Sequence, residues 1–239
     1  MRVKDHYDSH LGNFYSWMAG DITAKAEEFL QFLRDHHVVA ADAETAVDLG
    51  SGNGIQSIAL ARCGYRVTAI DFNTQLLKEL AGNAHGFPIS IVNDDLRQVR
   101  KHAHNAAVIT CCGDTLTHLE SLTEIGQLVT DVYQCLKTGG KAIFSFRDYT
   151  FALEGVNRFI PVRSDENRIL TCVLDYQPDY VTVTDLLHER AGNSWKQSAS
   201  SYQKVRLNPD VFMDMITRAG FRSVSRELIN RLVTVIAIK

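Results

Sequence analysis

The sequence has no apolar run approaching the roughly 20 residues that cross a bilayer. Its opening, MRVKDHYDSHLG, is too polar for the apolar core of a secretory signal. It also lacks a charge excess: 25 Lys and Arg stand against 28 Asp and Glu, a formal net charge of -3. That balance gives no electrostatic drive toward nucleic acid or an anionic membrane. Cysteine is sparse and odd in number: Cys63, Cys111, Cys112, Cys135 and Cys172, mostly inside apolar runs. Such residues read as the packed, reduced thiols of a cytoplasmic protein. No CxxC and no Cys/His cluster at zinc spacing occurs, so no metal is expected. The pairs His36-His37 and His102/His104 lie in polar stretches and read as solvated surface histidines. Repeats and low-complexity segments are absent.

What is present is a chain of 239 residues, 45% hydrophobic, enough for one domain or one domain with an insertion. From residue 46 onward, short apolar runs alternate with helical ones. AVDL (46–49), RVTAI (66–70), ISIV (89–92), AAVITC (106–111) and KAIFSF (141–146) read as strands. Between them, Ile55, Ile58, Ala59 and Cys63 fall on helical spacing, Asn73 can cap a helix carrying Leu76, Leu77 and Leu80, and Ser121 with Glu124 forms a capping box. Continuous apolar strands separated by helices predict a parallel sheet covered on both faces. After residue 150 the pattern changes. ILTCVLDY (169–176), YVTVTDLLHER (180–190) and SYQKVRL (201–207) read as antiparallel strands, with turns at Pro178-Asp179 and Gly192-Asn193. Asn208-Pro209 starts a helix, and the last two strands are so closely joined that only an antiparallel hairpin fits. The expected division is an N-terminal helical lid or flank (1–40), an α/β core (41–150), an antiparallel β insertion (151–207) that roofs a substrate or forms a dimer contact, and a last helix and closing hairpin (208–239). The aromatic-rich stretch Tyr7 to Met18 either covers a ligand or covers a flank of the core.

VDLGSGNG (47–54) carries most of the functional information. Asp48, Gly50, Gly52 and Gly54 form D-x-G-x-G-x-G between a strand and a helix, where glycines permit a tight turn and a close approach of backbone N–H groups to a ligand. The dinucleotide pattern G-x-G-x-x-G counted from Gly50 requires glycine where Ile55 stands, which disfavours a nicotinamide-dependent oxidoreductase. A carboxylate at 48 suits a ligand with a cationic amino-acid end. Asp71, closing the second strand, is placed to accept both hydroxyls of a ribose. Asp94 and Asp95 follow the third strand, where a side chain can reach an adenine amino group.

On these residues the sequence resembles the class I S-adenosylmethionine-dependent methyltransferases, over about 46–149 and again in the closing hairpin, 221–239. The resemblance implies a Rossmann-like fold, a mostly parallel seven-stranded sheet with a C-terminal antiparallel hairpin, and S-adenosyl-L-methionine as cofactor with S-adenosyl-L-homocysteine as product. It implies cofactor contacts at Asp48, Gly50, Ser51, Gly52 and Gly54, at Asp71, Phe72 and Asn73, and at Asp94, Asp95 and Leu96. Cys112, Tyr15 and Trp17 join that set. A narrower similarity is to the glycine and sarcosine N-methyltransferase type. CCGDTLTHL (111–119) looks like the stretch after their fourth strand, with Asp114 where asparagine is common. FSFRDY (144–149) looks like their strand-end motif, whose arginine grips a substrate carboxylate, although Asp148 replaces the usual asparagine. The expected activity is methyl transfer to nitrogen or oxygen of a small molecule, with Arg147, Tyr149 and Tyr202 as substrate contacts. His118, Asp114 and Asp148 are the candidate proton acceptors. An N/D-P-P-Y/F run after the fourth strand and a Pro-Cys pair, signatures of nucleobase methylation, are absent. A cofactor-binding regulator without turnover is the remaining non-enzymatic alternative.

Overall fold

The computed structural model describes residues 3–239, so the first two residues of the N-terminal segment lie outside the described residues. Three helices lead: α1 (Val3–Ser9), α2 (Tyr15–Ala19) and α3 (Ile22–Asp35). Asp21 caps α3 by accepting the Thr23 and Ala24 N–H groups, and Ala26, Leu30 and Leu33 line its buried face. Strands and helices then alternate as β1 (Thr45–Leu49), α4 (Ile55–Arg62), β2 (Arg66–Asp71), α5 (Thr74–Asn83), β3 (Ile89–Asn93), α6 (Val99–His102), β4 (Ala106–Cys111), α7 (Leu122–Cys135) and β5 (Leu136–Phe146). The insertion contributes β6 (Phe159–Ser164), β7 (Arg168–Tyr176), β8 (Tyr180–Ala191) and β9 (Ser194–Val205). The chain ends with α8 (Pro209–Ala219), β10 (Ser223–Ile229) and β11 (Leu232–Ile238).

The main sheet runs β10-β11-β5-β4-β1-β2-β3, parallel except that β11 pairs antiparallel with both β5 and β10. Alternate residues bury opposite faces. Leu49, Ile109, Phe144 and Phe146 pack with Leu128, Val132, Phe212 and Ile216 of α7 and α8. Ala46, Val108, Ile143 and Ile236 pack with Leu30, Leu33, Ala59 and Leu60 of α3 and α4. The chain builds outward from β1 to β3 and then returns to place β4 on the other side of β1. Open α/β sheets bind ligands in the crevice at such a switch point, beyond the carboxyl ends of the strands.

The insertion forms a separate antiparallel sheet, β6-β7-β8-β9, standing over that crevice. It differs from the sequence reading at two places. Strand β6 was not expected, and β9 begins at Ser194 rather than at Ser201. Both stretches are exposed, β6 as an edge strand and residues 194–197 near the β8–β9 turn, so neither needs the apolar alternation by which strands are read. Among the described residues no helix is long and apolar enough to cross a membrane.

Candidate active site

From the end of β1 the chain turns through Gly50-Ser51-Gly52-Asn53 into α4. Gly50 has φ +69°, and a Cβ there would stand 2.4 Å from the Thr115 methyl, so no other residue fits. The loop differs from expectation in where its amides go. Gly50 and Ser51 donate to the Ile70 carbonyl at 2.8 and 3.0 Å, and Gly52 donates to Asp71 Oδ2 at 2.8 Å. The loop curls back over the end of β2, and these donors are spent holding it there. What it gives the cavity is a surface free of side chains and the Ser51 hydroxyl, which is buried and has no hydrogen-bond partner.

A cavity of about 850 Å³ opens on this loop. Its volume lies in the upper range for ligand pockets, which run roughly 300–1,000 Å³. Gly50, Ser51, Gly52, Asp71, Phe72, Leu96, Cys112 and Tyr15 line the cofactor-loop end. Tyr15 comes from the N-terminal helices and lies over Gly52, its hydroxyl 3.6 Å from where a Cβ would be. Burial, then the charges of Asp71 and Asp48, push its phenol up to about 12. Asp71 also accepts from the Asn73 N–H at 2.8 Å, and burial raises its carboxyl.

Six expected cofactor residues do not reach the cavity wall. Asp48 sits beneath the loop, with one oxygen taken by Ser57 at 2.6 Å and the other by Thr110 at 2.8 Å. Burial pushes its carboxyl up to about 6. Gly54 faces Leu80, and the Asn73 side chain caps α5 and holds Asp8. Asp94 pairs with His102 at 2.8 Å, and Asp95 caps the next turn and grips the Arg97 guanidinium. Trp17 donates to Asp165 at 2.5 Å with the guanidinium groups of Arg163 and Arg168 over its ring, which ties α2 to the insertion. For the five that carry side chains, a nearer partner has claimed the side chain in each case.

At the other end of the cavity the residues after β4 and β5 meet the insertion. Asp114, at φ +73°, is almost fully buried and accepts four donors. Oδ1 takes the Arg147 N–H and the Thr117 hydroxyl, both at 2.9 Å, and Oδ2 takes the Tyr149 hydroxyl at 2.8 Å and Lys204 Nζ at 2.5 Å. Burial works against its charge, but Lys204 and the donors prevail and hold the carboxyl below its usual range. His118 stacks on Tyr202 with centroids 5.5 Å apart and meets the edge of Tyr7 at 5.7 Å. Its Nδ1 is enclosed and without a partner. Burial, and after it the Lys204 charge, pulls the imidazole down to about 3, so it stays neutral. Arg147 and Asp148 are exposed and do not pair with each other: Asp148 accepts the Thr150 N–H at 2.8 Å, and the Arg147 guanidinium has no hydrogen bond or ion pair among the described residues.

Several groups here were missed in the sequence. Lys204 was within reach, because period two along β9 puts it on the face of Tyr202. Asp185 likewise alternates with the buried Val181, Val183 and Leu187 of β8. Its partner His6 was not legible. His6 is fully buried, bonded to Asp185 at 3.1 Å and to Ser200 at 2.8 Å, and its ring lies 4.2 Å from that of Tyr202. Among the described residues no group of three or more metal-ligating side chains occurs.

Residues 46–140 match a family model described as a methyltransferase domain. The chain is 26% identical over 165 residues to a glycine/sarcosine N-methyltransferase of Aphanothece halophytica, covering 64% of this chain and 60% of that protein. It is 30% identical over 102 residues to a ubiquinone biosynthesis O-methyltransferase of Citrobacter koseri, covering 41% and 40%. The chain therefore spans less than two thirds of the length of these curated relatives. Among solved structures, CalS10, an amino pentose methyltransferase from Micromonospora echinaspora with bound S-adenosylmethionine, superposes with a TM-score of 0.74 over 92% of each chain. At 14% identity that likeness speaks for the fold alone.

Proposed function

We infer that this chain, whose residues 46–140 belong to the class I S-adenosylmethionine-dependent methyltransferases, is an enzyme that transfers a methyl group to nitrogen or oxygen of a small molecule. The observation that carries the reading is one continuous cavity joining the glycine loop to a polar pocket under the insertion. Its cofactor end fits S-adenosylmethionine. The orphaned Ser51 hydroxyl suits the amino-acid portion, Asp71 the ribose, and the apolar sides of Phe72, Leu76 and Leu96 the adenine. When bound, that cofactor supplies an electrophilic methyl on a sulfonium.

The protein's own contribution is positioning and exclusion of water, which can lower a barrier by roughly 7–11 kcal/mol in well-oriented encounters. His118 is too weak a base to hold a proton at neutral pH, but as a neutral imidazole it can take a hydrogen bond and orient the acceptor. Asp114 is saturated by its donors, and we assign it the role of fixing Tyr149, Lys204 and the Arg147 backbone. The acceptor then gives its proton to water as it enters or after transfer. Arg147, exposed at the rim with an uncommitted guanidinium, is the group suited to an acidic substituent on that acceptor.

Calorimetry of the purified chain with S-adenosylmethionine should give saturable binding below about 1 mM, and a metabolite panel should yield S-adenosylhomocysteine with at least one amine or hydroxyl compound. No binding at that concentration removes the reading, and binding without turnover of any compound reduces it to cofactor binding.

A further inference from the structure

Beyond the polar pocket the cavity has a branch that the methyl-transfer reading does not explain. It runs between α3, from Lys25 to Phe32, and the ends of β5 and β11. Strand register sets one wall: Thr234 lies opposite Ser145 and Val233 opposite Phe146. Alternation then puts Ser145, Arg147, Leu232 and Thr234 on the α3 side, and all four line the cavity. The other wall carries the stacked rings of Phe29 and Phe32, 5.4 Å apart and half buried. The floor on the α3 side is therefore aromatic, a surface for which the cofactor ribose has no use.

The rim is cationic. Lys25, Arg147 and Arg231 border the cavity and are exposed, and none makes a side-chain hydrogen bond or ion pair among the described residues. Two acids share this wall, Glu28 and Asp148, and Asp148 is turned to the Thr150 N–H. Arg231 is held in an unfavourable conformation. With Asn230 it forms the two-residue β10–β11 turn at φ +50° and +63°, a geometry that Asn-Gly adopts at least cost. A long cation at the strained position puts a guanidinium at the cavity mouth where glycine would put nothing.

Resting on the proposed methyltransferase activity, we infer that the acceptor is an aryl- or alkyl-bearing carboxylic acid larger than a simple amino acid, its apolar body lying over Phe29, Phe32 and Leu232 and its carboxylate at Lys25, Arg147 and Arg231. A glycine-sized acid would leave the aromatic floor bare. An apolar acid covers that floor and meets the three exposed cations at once; each exposed pair contributes little alone, and the three together amount to about a decade in affinity.

The test is binding to protein loaded with S-adenosylhomocysteine, using 4-phenylbutyrate, 4-phenylbutyramide and glycine as probes in calorimetry. The acid should bind at least about tenfold more tightly than its amide and than glycine. The double reversal K25E/R231E should abolish the preference for acid over amide while leaving affinity for S-adenosylhomocysteine within about twofold, which also shows that the variant is folded. Phe29→Ala should weaken acid and amide together. Equal binding of acid and amide, tighter binding of glycine, no binding of any probe, or an unchanged preference in the double variant would each overturn the inference. If S-adenosylhomocysteine itself fails to bind, the methyltransferase reading falls first.

Discussion

Replacing Lys204 with Met removes a buried cation that joins the insertion to the core. The side chains of Lys204 and Asp114 are only 9% and 5% exposed, with Nζ 2.5 Å from Oδ2, so the discount appropriate to a solvated ion pair does not apply. Removing one partner of a buried pair leaves the other charge uncompensated, at a cost of about 3–5 kcal/mol. Three other donors still reach Asp114, from Thr117, Tyr149 and the Arg147 backbone, which places the expected loss near the lower figure. The partner change D114N leaves Lys204 buried and should also destabilise, but D114N/K204M should cost less than the sum of the singles by about 1–3 kcal/mol. Urea unfolding measures all four corners of the cycle. Trp17 and Trp195 report on the N-terminal segment and the insertion by fluorescence, and far-ultraviolet circular dichroism reports on the α/β core. A K204M loss under about 1 kcal/mol, the level of an exposed pair, would show that the ammonium is solvated and that the roof does not close over the pocket.

Asp48 should make stability fall as pH rises. Its folded carboxyl, pushed up to about 6 chiefly by burial, lies above its unfolded value near 3.9, so the stabilisation is complete below about pH 4 and lost as pH passes 6. Two units correspond to about 3 kcal/mol, so the stability of the parent relative to D48N should drop by that amount between pH 4 and 7; a flat difference would contradict the burial argument. Gly50→Ala forces a Cβ to 2.4 Å from the Thr115 methyl at φ +69°, and S-adenosylhomocysteine affinity should fall at least about tenfold in calorimetry. Arg147→Ala should leave unfolding free energy within about 0.5 kcal/mol, because the exposed guanidinium is unpaired, while 4-phenylbutyrate binding weakens and cofactor affinity does not. If cofactor affinity collapses with it, Arg147 supports the loop rather than the acceptor.

The parts of the molecule read correctly from sequence are those fixed by neighbours in the chain. Asn73, Ser121 and Asn208 each cap the helix expected of them, because a cap bonds an N–H two or three residues on. The hairpin between β10 and β11 followed from the length of its connection alone. Direction was harder to read than position. Asp94 and Asp95 stand at the end of β3 as expected, yet His102 and Arg97, a few residues later, capture their side chains. The polar pocket was hardest, because its contacts join distant segments: Lys204 and Asp114 are 90 residues apart, and His6 and Asp185 are 179 apart. Local pattern can say that a residue on such a strand is buried, but not what it is buried against.

Those distant contacts also explain how FSFRDY serves the site. The strand end presents the Arg147 amide and the Tyr149 hydroxyl to Asp114, and Asp114 holds Lys204 of the insertion. The next residue, Thr115, packs into the space that a side chain on Gly50 would need, with its hydroxyl bonded to the Cys112 carbonyl at 2.7 Å. Roof, strand end and cofactor loop are thus held through two adjacent residues, one by charge and one by shape. Shifting the insertion would expose or unpair a buried carboxylate, and shifting Thr115 would open the wall beside the glycine loop. Thr115→Gly should therefore loosen the loop without touching the charge network. S-adenosylhomocysteine affinity should fall while the Asp114–Lys204 coupling, measured by the same mutant cycle, stays within about 0.5 kcal/mol of the parent value. Loss of both together would mean that the two contacts are one rigid unit, and that the acceptor pocket cannot be altered without altering cofactor binding.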